Sequence, residues 1–127
     1  MITIYSIISR ILFLMFLFNA KFSYSIDEWY YQAEKLYSST YKEWLNASHD
    51  SQLATTMDWL MTAANKNILK RHYQQVVYVA LLNSTEEQQF IQLAEKVRRC
   101  INHSNSDKSM LTTHIVAQCL KRENMVR

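Results

Sequence analysis

The stretch Ser84-Thr85-Glu86-Glu87-Gln88-Gln89-Phe90-Ile91-Gln92-Leu93-Ala94-Glu95-Lys96-Val97-Arg98-Arg99-Cys100-Ile101 reads as an amphipathic helix with its start signal attached. The Ser84 hydroxyl is placed to accept from the backbone N–H of residue 87 while Glu87 reaches back, the reciprocal arrangement of a capping box. Phe90, Leu93, Ala94, Val97, Cys100 and Ile101 recur at three- and four-residue spacing and form an inner face. On the outer side Glu95 and Arg99 make a favourable i,i+4 pair.

Outward from this stretch the helical pattern continues, because the 127 residues contain no glycine and no proline. Average usage is roughly 7% and 5% for those two types. Helix interiors exclude both, glycine through lost backbone entropy and proline through its missing N–H and ring clash. An all-α fold follows. The one challenge is Val76-Val77-Tyr78-Val79-Ala80-Leu81-Leu82, apolar on every side and rich in β-branched residues. A lone strand would have no ladder to join, so this segment, starting near residue 67, is expected to be the most buried helix of a bundle.

Three more segments fit the same period. Over residues 26–45, Ile26, Trp29, Tyr30, Ala33, Leu36, Tyr37, Tyr41 and Trp44 share one stripe, which predicts a single amphipathic helix. After the joint at residues 46–50, with Ser48 or Asp50 as N-cap, Leu53, Met57, Leu60, Met61, Ala64 and Ile68 line the apolar face, and Trp59 falls off it. Residues 107–122 place Leu111, Ile115, Val116 and Cys119 on one side, with Lys121 and Arg122 at the negative helix end. Short joints favour antiparallel neighbours, so one four- or five-helix domain is expected over residues 26–127.

Residues 1–25 read as an export signal. Arg10 precedes the unbroken apolar run Ile11-Leu12-Phe13-Leu14-Met15-Phe16-Leu17-Phe18, and Ser23-Tyr24-Ser25 supplies small residues for cleavage before Ile26. The run falls short of the roughly 20 apolar residues a spanning helix needs, so cleavage is favoured over retention as an anchor. An exported chain meets oxidising conditions, and Cys100 and Cys119 are expected to pair. In a plain hairpin turning near Ser104 the two would be offset by roughly 16 Å at 1.5 Å per residue. A bridge needs Cα atoms within about 7 Å. The last helix must therefore cross its neighbour steeply or begin later than Asp107.

Charge excludes a strongly basic nucleic-acid binder. Without the signal, about twelve basic residues face eleven acidic ones, a net of about +1. The distribution is uneven: residues 26–60 carry about −4 and residues 61–127 about +5.

Candidate sites are sparse. Cys100, His103, His114 and Cys119 form the one constellation with metal-ligand character, but His114 and Cys119 stand about 140° apart on a helix, and a disulfide is favoured over zinc. No nucleophile elbow, His–Glu metal motif or glycine-rich phosphate loop occurs, so neither catalysis nor a cofactor is expected. Two basic clusters, Lys66 with Lys70-Arg71-His72 and Lys96 with Arg98-Arg99, are candidates to touch phosphates, acidic lipids or an acidic protein; solvated helix faces look the same. Tyr31 and Trp59, large aromatics off their apolar stripes, are the stronger partner anchors. Asn46, Asn83 and Asn102 each head an N-x-S/T triplet at a joint, where capping residues produce the same pattern.

These readings lead to an exported helical domain that acts by binding another protein, as an inhibitor, immunity or accessory protein does. A carrier of a small apolar ligand between aromatic-lined helices, and an enzyme with a non-standard site, are the alternatives.

Overall fold

The computed structural model describes residues 28–83 and 86–127. The expected signal segment, Ile26, and Ser84 of the expected capping box lie outside the described residues. Six α-helices and no strands make up the described chain: α1 Glu28–Gln32, α2 Tyr41–Leu45, α3 His49–Asn65, α4 Arg71–Leu82, α5 Glu87–Asn102 and α6 Thr112–Arg122. The all-α class and the helical bundle are as the sequence predicts, with one helix more.

The additional helix arises because the segment over residues 26–45 is broken. Residues 33–40 leave the helix, and Thr40 restarts it with a full capping box, its hydroxyl accepting from Glu43 N–H while Glu43 returns to the Thr40 N–H. Ser38-Ser39-Thr40 favours such a break, since hydroxyl side chains compete for backbone groups. Long-range bonds then fix the excursion: Leu36 N–H donates to Thr55 Oγ1 at 3.0 Å, and Thr112 N–H to the Ser39 carbonyl at 3.0 Å. The apolar stripe that runs through residues 26–45 therefore belongs to two short helices.

Helix α5 sits at the centre, in contact with α3, α4 and α6. Phe90, Ala94, Val97 and Ile101 on its inner face are buried against Met57, Leu60, Val77 and Ile115. The expectation that residues 76–82 form the most buried helix is overturned. In α4 only Val77 and Ala80 are buried, while Tyr78, Val79, Leu81 and Leu82 are exposed, Leu82 at 88%. An all-round apolar helix can be buried only where neighbours surround it, and among the described residues α4 makes its main helix contacts with α3 and α5.

Asparagine takes the backbone positions that glycine would fill. Asn67 and Asn124 adopt φ of 57° and 56° just past α3 and α6. Each closes a Schellman pair: Ile68 N–H reaches Ala63 O at 3.0 Å, and Met125 N–H reaches Leu120 O at 2.9 Å. The two ends then meet, with Leu69 and Val126 in an antiparallel bridge.

Cys100 and Cys119 form a disulfide with Cα atoms 5.9 Å apart. The hairpin offset is resolved by a late start, as α6 begins at Thr112. Residues 103–111 first run back to α2, where Tyr41 N–H donates to Met110 O at 2.8 Å. Among the described residues no helix is long and apolar enough to cross a membrane.

Candidate functional site

Helix α3 carries two unlike polar positions. Near its start, Gln52 is buried and joins α2 and α5: its Nε2 donates to Trp44 O at 2.6 Å, and its Oε1 accepts from Arg98 Nη1 and Asn102 Nδ2, both at 3.1 Å. Asn102 Oδ1 accepts from the Trp44 indole at 2.7 Å, and Arg98 forks onto Glu95 with two bonds of 3.0 Å. Burial works to raise the Glu95 carboxyl, but the bonds and charge of Arg98, then those of His49, override it and hold the group below its ordinary range. This network is charge-balanced.

Asp58, midway along α3, has a different setting. Tyr30 of α1 and Tyr37 of the following segment each donate a phenolic O–H to it, one to Oδ1 and the other to Oδ2. No lysine, arginine or histidine among the described residues pairs with it. Burial pushes its carboxyl up to about 6. It faces a cavity of about 440 Å³ that is open to solvent, walled by Tyr30, Tyr31, Tyr37, Trp59 and Lys35. Lys35 lies over the Tyr30 ring at 3.7 Å and donates to the Tyr30 carbonyl at 2.6 Å, and burial lowers its pKa.

The two aromatic residues singled out as partner anchors thus meet in one cavity. Tyr31 is 54% exposed and sits edge-on against Tyr30, with ring centroids 5.0 Å apart. Trp59 is half-buried and stacks on the fully buried Trp44 at 5.5 Å, so its ring rests on a fixed base. Trp59 also lines a second, apolar groove of about 180 Å³ with Ile68, Val116 and Leu120.

The basic candidates stand elsewhere. Lys70 donates to Asn124 Oδ1 at 2.7 Å, Arg71 is the exposed first residue of α4, Arg98 is committed to Glu95, and Arg99 is exposed at 3.7 Å from Glu95. They do not line the cavity. Both thiols of the zinc constellation are spent in the disulfide, and among the described residues no group of three metal-ligating side chains is gathered. Of the three triplet asparagines, Asn46 and Asn83 are exposed, whereas the Asn102 amide is engaged by Trp44 and Gln52.

Sequence reasoning missed Asp58, Tyr30, Tyr37 and Lys35. Tyr30 and Tyr37 were assigned to a continuous core stripe, and only the break after residue 32 turns Tyr37 toward α3. A sequence signal existed: Asp58 and Trp59 are adjacent, and both lie off the apolar stripe of α3. Compared with known protein families, curated proteins and solved structures, the chain finds no match.

Proposed function

We propose that this chain is an exported, non-catalytic helical domain that works by binding another protein through the face around Tyr31 and Trp59. The observation that carries this reading is the convergence of an exposed tyrosine and a tryptophan on one solvent-open cavity, above a core fixed by a disulfide. Aromatic side chains held rigidly lose little conformational entropy on binding, which is why they dominate interface hot spots. The apolar groove behind Trp59 extends the same face toward α6. The disulfide and the apolar run at residues 11–18 support export.

Site-specific photo-crosslinking tests the reading. A benzophenone amino acid at position 31, introduced in the compartment where the protein resides, should trap a protein that the same group at Gln92, an exposed position on α5 that lines neither the cavity nor the groove, does not. Trp59→Ala should abolish the adduct at position 31. Equal trapping at both positions, or trapping insensitive to Trp59→Ala, would contradict it.

A further inference from the structure

The Asp58 cavity has the chemistry of a receptor for a planar cation. A carboxylate oxygen has two lone-pair directions, and each Asp58 oxygen spends one on a tyrosine O–H. One acceptor site per oxygen is left. Two parallel N–H groups fit such a pair, the fork by which arginine meets carboxylates. Tyr31, Tyr37 and Trp59 line the same cavity, and aromatic rings are the groups on which a guanidinium stacks. Lys35 does not neutralise Asp58, because its ammonium is held by the Tyr30 carbonyl and ring. That ring contact is with Tyr30, outside the trio of Tyr31, Tyr37 and Trp59. The part of the sequence that supplies most of the cavity is net acidic, residues 26–60 carrying about −4.

We infer that the cavity between Tyr31, Tyr37 and Trp59 takes an arginine side chain of the partner protein, bound in a fork to Asp58. This rests on the protein-binding reading above and deepens it by naming the side chain recognised. A lysine would supply charge without the planar fork, and a carboxylate ligand would meet Asp58 as a like charge.

The test uses a small probe on the intact, disulfide-bonded protein. N-acetyl-arginine methylamide is titrated while the Trp59 indole and the tyrosine ring signals are followed by NMR. Saturable shifts confined to Tyr30, Tyr31, Tyr37 and Trp59 are expected, with Kd on the order of 1 mM for so small a ligand. The uncharged citrulline analogue should bind at least about tenfold more weakly, and Asp58→Asn should cost a similar factor, as loss of a charge-assisted fork does. Lys35→Gln, which removes the neighbouring positive charge and leaves Asp58 in place, should tighten the probe severalfold. That variant keeps the test open if Asp58→Asn fails to fold.

Equal binding of the arginine and citrulline probes, or arginine binding weakened by Lys35→Gln, would overturn the inference. So would preferential binding of N-acetyl-glutamate methylamide. The two readings fail separately. Crosslinking at position 31 with no arginine selectivity keeps the protein-binding face and removes the arginine pocket. Arginine selectivity with no crosslinked protein does the reverse.

Discussion

Glu95 on α5 and Asp58 on α3 are both half-buried carboxylates, and their surroundings push them in opposite directions. Glu95 is locked to Arg98, which continues through Gln52 to Asn102 and Trp44. Every member has its partner, so the cluster joins three helices and presents no spare valence to a ligand. Asp58 has two neutral donors, an open cavity and, among the described residues, no cation paired with it. The difference teaches where structure ends and function is to be sought: a satisfied network holds the fold, and a carboxylate left without its counter-charge marks a surface awaiting one.

The largest effect that bears on this contrast comes from the tryptophan pair. Trp44 is fully buried and feeds the satisfied network, so Trp44→Ala should cost about 3–5 kcal/mol of stability in denaturant unfolding. Trp59 faces the cavity with one side free, and Trp59→Ala should cost only about 1–2 kcal/mol. Equal losses would erase the division between a structural and a functional face.

The disulfide should contribute next. It closes a separation of 19 residues, for which chain entropy predicts about 3 kcal/mol. Replacing both cysteines with serine should lower stability by about that amount while leaving the Asp58 cavity, built from α1 and α3, able to bind. Loss of the cavity's NMR signature in that variant would mean that the two regions are not separable.

Much of this fold was legible because the information was local. The inner face of α5 is read directly from Phe90, Ala94, Val97 and Ile101, all of which are buried. The cysteine pairing needed only the expectation of export and a late start for α6. The break after α1 was harder. A stripe continues by coincidence across it, although Thr40 and Glu43 spell the same capping box that was sought at Ser84 and Glu87. What secures the break is Ser39 against Thr112, a contact 73 residues distant that no window shows. The exposure of α4 was not legible either, since burial depends on how many neighbours a helix has as well as on its own composition. Asp58 meets Tyr30 and Tyr37 across 28 and 21 residues, so the cavity exists only after folding.

The remaining contrast is electrostatic, and its sign separates the two carboxylates. A group whose pKa folding lowers, as for Glu95, adds stability that is present above its unfolded value and lost as pH falls through the folded one. Asp58 is raised from 3.8 to about 6, so its contribution is present below 3.8 and lost as pH rises through about 6. Tyr30 and Tyr37 face Asp58 directly, and Lys35 shares its cavity. Titrating the Asp58 side-chain carboxyl carbon by NMR therefore tests the central claim most directly. The account predicts a midpoint near 6 in the free protein, moved downward when N-acetyl-arginine methylamide fills the cavity. A midpoint at the ordinary aspartate value of about 3.9, unmoved by the arginine probe, would contradict it.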